Sequence, residues 1–166
     1  PLGQVVALAN QVVCPGDPTS LVTFATLNTG TTTYTWTNDT SSIGLATSGT
    51  SNTIPSFVAT NTTTAAITGT ITVTPTFVDG SVNCIGTPTS FTITVNPTPT
   101  IILSSAVSST NQIICINSPI VPIQYTFDAG AMGAIVTGLP AGINQTTNGN
   151  IVTISGIPTT TAGIFN

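Results

Sequence analysis

Few residue types in this chain are able to do acid–base, nucleophilic or metal chemistry. They are the carboxylates Asp17, Asp39, Asp79 and Asp128, the thiols Cys14, Cys84 and Cys115, and a large stock of Ser and Thr hydroxyls. Lys, Arg, His and Glu are absent from all 166 residues. Hydrolysis and group transfer usually draw a base or nucleophile from His, Glu, Lys or an activated Cys, and of these only Cys is present. A Ser or Thr nucleophile needs a base beside it, and the chain has no imidazole or side-chain amine to supply one. No catalytic residue is expected, and the chain reads as a non-enzyme.

Metal and anion chemistry are narrowed by the same absences. Calcium takes about six to eight oxygen ligands, several of them carboxylates. Each Asp here stands alone with no Asp-x-Asp spacing, so the acids read as turn residues that satisfy their own backbone. Three dispersed cysteines without His do not make a zinc site. No metal-binding or cofactor-binding residue is expected, with Ca2+ at the loop acids Asp39 and Asp79 as the one exception weighed. Phosphate neutralisation and attraction to anionic lipid both need Lys or Arg, which excludes nucleic acid and disfavours membrane surfaces as partners.

The bias that removes chemistry also defines the material. An average chain of this length would carry roughly 20 basic residues, so their absence is not chance. No stretch reaches the roughly 18 consecutive apolar residues of a membrane-spanning helix. Solubility must therefore rest on Thr, Ser and Asn, and Thr alone is more than a fifth of the chain. Thr is β-branched, so it favours strands while keeping a hydroxyl in water. Gly and Pro recur at the spacing expected between short strands. The fold class is predicted to be all-β.

The clearest strand runs from Ile67 to Phe77, with Ile71 and Val73 on one face and Thr68, Thr70, Thr72, Thr74 and Thr76 on the other, a period of two. Phe91, Ile93 and Val95 repeat the pattern, as do Tyr34 and Trp36. One apolar face per strand predicts antiparallel β-sandwich packing, with Tyr34, Trp36, Phe57, Ile71, Val73, Phe91 and Ile93 as the structural core. Weaker strands are predicted at Val5 to Ala9, Leu21 to Leu27 and Ile54 to Thr60, with turns at Cys14 to Pro18, Asn28 to Gly30 and Asp79-Gly80. Asn96-Pro97-Thr98-Pro99-Thr100 cannot continue a paired strand, because two of its residues lack an amide donor. Two modules follow, 1–97 and 98–166. The second begins like a sandwich through Val121, Ile123, Tyr125 and Phe127, then Val152 and Ile154, and is expected to be truncated. The amino end lacks a basic segment followed by an apolar core, so the chain is expected to begin inside something longer.

Several short motifs occur together in order: Cys14-Pro15-Gly16, Tyr34-Thr35-Trp36-Thr37-Asn38-Asp39, Ile54-Pro55-Ser56-Phe57, Ile71-Thr72-Val73-Thr74-Pro75, Cys84-Ile85-Gly86-Thr87-Pro88 and Phe91-Thr92-Ile93-Thr94-Val95-Asn96-Pro97. Through them the first module resembles the PKD-like repeat of giant Bacteroidota surface proteins. The second is similar to bacterial Ig-like repeats through Gly138-Leu139-Pro140-Ala141-Gly142 and Val152-Thr153-Ile154-Ser155-Gly156-Ile157-Pro158. The resemblance implies tandem Ig-like sandwiches in a type IX secreted protein of the bacterial cell surface, serving adhesion or gliding motility. Neighbouring repeats, surface glycans or the secretion and motility machinery are the implied partners. Two rivals are a carbohydrate-binding accessory module of a secreted polysaccharide-degrading enzyme and a surface filament subunit.

An extracellular chain should oxidise its thiols, so a Cys14–Cys84 disulfide is expected within the first module, with Cys115 unpaired inside this sequence. Asn38-Asp39-Thr40, Asn61-Thr62-Thr63 and Asn144-Gln145-Thr146 fit the glycosylation acceptor pattern, although a chain this rich in Asn and Thr produces such tripeptides by accident. Trypsin-like proteases find no Lys or Arg to cut after, so trypsin should leave even the reduced, unfolded chain at full mass by mass spectrometry. Digestion at a normal rate would contradict this reading.

Overall fold

The computed structural model describes residues 4–27, 30–79, 82–128, 130, 131 and 133–159. The chain divides into two compact units, Pro1–Thr98 and Pro99–Asn166.

In the first unit the threonine alternation becomes a sheet. Strand β3 (Thr31–Asn38) lies antiparallel to β6 (Ile67–Asp79), and β6 lies antiparallel to β8 (Thr89–Val95). The edges are the short strands β1 (Gln11–Val13), beside β8, and β4 (Ser48–Gly49), beside β3; β7 (Val82–Ile85) pairs with the far end of β6. A second, two-stranded sheet is formed by β2 (Val22–Thr23) and β5 (Thr53–Ile54). It is extended by isolated bridges, Val5 to Thr26 and Pro18 to Val58. The register keeps hydroxyls beside hydroxyls on the outer face. Thr68 and Thr94 lie 2.9 Å apart, oxygen to oxygen, and Thr72 and Ser90 3.0 Å. Cross-strand Thr pairs of this kind each add a few tenths to about 1 kcal/mol.

The inner face of that sheet is the core. Ile71, Val73 and Ile93 are fully buried, and Tyr34, Trp36 and Phe91 nearly so. They pack with Val22, Phe24, Ile43, Leu45, Ile54 and Ala59 in one cluster. Phe57 sits at the margin of this cluster, only partly buried. The arrangement is an Ig-like β-sandwich. Two pairings depart from the antiparallel expectation: β1 runs parallel to β8, with Gln11 opposite Ile93 and Val13 opposite Val95, and the isolated bridge between Gln4 and Thr87 is parallel too. Nothing in the alternation of Val12 and Val13 announced this, because a three-residue strand carries almost no periodic signal. The weak segments predicted at 5–9, 21–27 and 54–60 shrink to β2, β5 and single bridges, while β1, β4 and β7 were not anticipated. Of the predicted turns at Asn28 to Gly30 and Asp79-Gly80, residues 28, 29 and 80 lie outside the described residues.

The second unit holds one antiparallel sheet among its described residues. It consists of β9 (Ile101–Leu103), β10 (Ile123–Phe127), β11 (Ile143–Asn148) and β12 (Ile151–Gly156), in the order β11-β12-β10-β9. Strands β11 and β12 form a hairpin over Gly149-Asn150 with Gly149 at φ +59°, the positive φ that a two-residue hairpin turn needs at its first central position. Val152, Ile154, Phe127 and Ile143 are buried on this sheet. The long stretch between β9 and β10 is pinned by the Gln112 amide, which donates to the Val121 carbonyl at 2.8 Å and accepts from the Val121 N–H at 2.7 Å. The predicted strand over 121–127 thus begins only at Ile123.

Candidate functional site

Two of the four acids, Asp39 and Asp128, are backbone clasps. Asp39 follows the last residue of β3; its carboxylate accepts from the Thr70 N–H and the Thr40 hydroxyl, both at 2.8 Å, while its own N–H donates to the Thr70 carbonyl at 3.3 Å. Asp128 follows the last residue of β10 and repeats the arrangement in the second unit. Its carboxylate accepts from the Thr100 N–H at 2.9 Å and hydroxyl at 2.7 Å, and its N–H donates to the Thr100 carbonyl at 3.1 Å. Each Asp therefore ties a strand end to a neighbouring Thr by a closed pair of bonds. Asp17 serves a turn through its main chain, its N–H donating to Cys14 and its carbonyl accepting from Ala59. The side chain of Asp79 lies outside the described residues. Among the described residues no three His, Cys, Asp or Glu side chains come together.

These bonds favour the charged carboxylates, chiefly the Thr70 N–H at Asp39 and the Thr100 hydroxyl at Asp128, and hold both groups below their usual pKa. The unfolded chain has the ordinary, higher values. The stabilisation is therefore complete above the ordinary carboxylate range and is lost as pH falls through the lowered folded values. The melting temperature should stay level from neutral pH down to about pH 4 and then decline. The double variant Asp39→Asn, Asp128→Asn should flatten that decline in a calorimetric pH series. An unchanged acid slope would count against the clasps.

The cysteines require a correction. Cys14, Cys84 and Cys115 are all free and exposed, and the register explains why Cys14 and Cys84 do not meet. Cys14 directly follows Val13, which pairs with Val95, which in turn pairs with Ile67. Cys84 pairs with Phe77 at the other end of β6. Along β6, Ile67 and Phe77 are separated by about 33 Å, whereas a disulfide needs Cα atoms within about 7 Å. Native protein should therefore release three thiol equivalents to an aromatic disulfide reagent without reductant, and a titration of one equivalent would reinstate an internal bridge.

Two residues that the sequence places in acceptor tripeptides carry a different role. Asn38 and Asn61 are buried. The Asn38 amide donates to the carbonyls of Thr40, Leu45 and Ala46 at 3.1–3.3 Å and accepts from the Thr40 N–H at 3.1 Å. Asn61 donates to Ala65 and Val95 at 2.8 and 2.9 Å and accepts from the Thr63 N–H and hydroxyl, both at 2.8 Å. In the folded chain neither amide is free to receive a glycan; Asn144 is exposed. The one signal in the sequence is the position of Asn38, two residues after Trp36 on the apolar face of its strand.

An open cleft of about 490 Å³ lies in the first unit, between Thr32–Thr35 of β3 and the crossing segment Thr50–Asn52. It is lined by Thr, Ser, Asn and Tyr34, with more carbon than polar surface turned to the cleft, and its one ionisable group is the Tyr34 phenol, which burial pushes above its usual pKa. Trp36 is not part of that lining; its indole lies against Gly49, where a Cβ would collide with the ring, and its Nε1 has no hydrogen-bond partner. The fold and the site together define a class: an all-β chain of Ig-like sandwich architecture in which Phe24, Tyr34, Trp36, Phe91 and Phe127 are buried. No known family and no curated protein matches the chain. Twelve solved chains match it. One is the protocadherin gamma B2 extracellular cadherin domains 3-6, with a TM-score of 0.42 and 14% identity over 95% of this chain. The present chain spans 39% of that one. No helix among the described residues is long and apolar enough to cross a membrane.

Proposed function

We propose that this chain is a non-catalytic, tension-bearing repeat segment of a larger secreted bacterial surface protein, acting in adhesion or gliding, without cofactor or metal. The single observation that carries this reading is the parallel pair β1–β8. Strand β1 lies near the point where the chain enters the first unit, and β8 is the strand from which it leaves. When two parallel strands are pulled from the entering and leaving ends, their hydrogen bonds are loaded together in shear rather than one at a time. The Asn96 N–H, donating to the Val13 carbonyl at 3.0 Å, extends the pair by one bond at the exit. The hydroxyl-rich surface, with no cationic side chain, and the burial of Tyr34 and Trp36 suit a spacer better than a carbohydrate-binding module, which would keep an aromatic face in solvent.

Single-molecule force spectroscopy tests this directly. Pulled by its ends, the chain should show one high-force rupture for the first unit. Val13→Pro, which removes a donor from the short parallel pair, should lower that force markedly while leaving the other strands in place. Equal rupture forces for the two proteins would remove the mechanical argument. Wild-type binding on a glycan array, lost in an exposed-residue variant of unchanged melting temperature, would favour the accessory-module reading instead.

A further inference from the structure

We propose that the open half of the β3 edge, with the cleft beside it, is a docking site for an extended, uncharged peptide strand added to the sheet in line with β4. Among the described residues, strand β3 pairs with β6 from Thr31 to Asn38 but with β4 only at Trp36 and Thr37. The direction of its main-chain groups is set by two bonds: Asn38 donates to the Thr47 carbonyl at 2.8 Å, on the β4 side, and Asp39 to the Thr70 carbonyl at 3.3 Å, on the β6 side. Residues two apart in an antiparallel strand aim their N–H and C=O the same way. Thr32 and Tyr34 therefore present theirs on the β4 side, past the end of β4. There the chain has already left the ladder at Thr50 and crosses to the second sheet, where the Asn52 carbonyl accepts from the Phe24 N–H at 2.8 Å.

Three further observations specify the occupant. The Thr32 hydroxyl is buried without a hydrogen-bond partner among the described residues, which leaves a polar group for an incoming strand to satisfy. Tyr34, the one aromatic lining the cleft, is only 8% exposed and its ring packs against Phe24 with centroids 5.7 Å apart. No aromatic face is offered to a sugar ring, whereas an unpaired strand edge is what strand addition uses. The lining also has no charge to offset a buried ionic side chain, and an unpaired charge brought there would lose its water uncompensated. The added segment must continue both faces of the sheet, hydroxyls outward beside Thr33 and Thr35 and small apolar groups inward. About five residues, roughly 17 Å, would fill the open edge.

Amide hydrogen exchange by NMR on the whole chain tests the site, with a capped peptide carrying the Ser90–Val95 sequence as the probe, since that sequence has the required alternation. At about 1 mM peptide, exchange at Thr32 and Tyr34 should slow at least ~10-fold, while Thr33 and Thr35, already turned toward β6, should not change. Thr32→Pro removes an edge donor that faces away from β6, a position where strands tolerate proline. It should keep the fold and abolish the protection at Tyr34. Should that variant fail to fold, the same peptide N-methylated at the amides that would face β3 cannot donate to the Thr32 and Tyr34 carbonyls and should lose the protection. The proposal is overturned if the peptide leaves Thr32 and Tyr34 unprotected, if protection survives the substitution or the N-methylation, or if cellohexaose protects these amides and the peptide does not.

Discussion

Replacing Trp36 with alanine should unfold the first unit. The indole is 7% exposed, on the inner face of β3, and belongs to the cluster that includes Tyr34, Val73 and Phe91. Truncating a buried Trp or Phe to Ala costs about 3–5 kcal/mol, because transfer energy is lost and a cavity remains. A domain is held by about 5–15 kcal/mol in all, so the loss takes a large share of what is present. Gly49 sharpens the expectation: it is the cross-strand partner of Trp36, and its missing side chain is what lets the ring lie flat on β4. The indole Nε1 has no partner among the described residues, so Trp36→Phe gives up some packing but no hydrogen bond and should cost clearly less than Trp36→Ala. Urea unfolding followed by the methyl signals of Ile71 and Ile93 separates the two variants. If Trp36→Ala melted where the wild type does, the ring would not be a core residue, and a surface role in ligand stacking would have to be reconsidered.

The second large effect is expected at Asn38. Its amide closes the loop from Thr40 to Ala46 onto the end of β3 by bonding three carbonyls and one N–H. Alanine would leave those main-chain groups without their partner in a site where Asn38 itself is 5% exposed. Each orphaned buried group costs about 1–3 kcal/mol, less where water can reach it. A total loss of about 3 kcal/mol is expected, close to that of a core truncation although no apolar contact is removed. Asn38→Asp should be destabilising too, since a carboxylate cannot donate to Leu45 or Ala46. Asn144→Ala, at an exposed position with the same tripeptide pattern, should leave the melting temperature unchanged. Equal effects at Asn38 and Asn144 would mean that the buried amide is not holding the loop.

Both effects bear on the mechanical reading. Asn38 and Asp39 lie at the end of β3 that meets Ile71 and Thr70 of the central strand. Asn61 donates to the Val95 carbonyl at 2.9 Å, on the strand that leaves the unit. Side-chain amides and carboxylates thus brace strand ends where paired ladders stop. In a chain without Lys or Arg this bracing cannot come from side-chain salt bridges, and the two Asp clasps and two Asn staples take that place with hydrogen bonds to the main chain.

The sequence by itself determined the alphabet and its exclusions, the all-β class, and the inward faces of the long strands. Those follow from local causes: a residue type is present or absent, and a period of two over β6 or β8 sets which side chains share a face whatever the strand pairs with. The same local logic placed Trp36, Tyr34, Ile71, Val73, Phe91 and Ile93 together on inner faces. It did not find β1, β4 and β7, which are too short to show a period. The Cys14–Cys84 pairing failed for a related reason, since nearness in a sandwich depends on which strands are neighbours and in what register. Those are properties of pairings tens of residues apart, and only the tertiary structure decided them. It placed β1 parallel to β8, put Cys14 and Cys84 toward opposite ends of the first sheet, turned Asn38 and Asn61 inward, and turned the main-chain groups of Thr32 and Tyr34 away from β6.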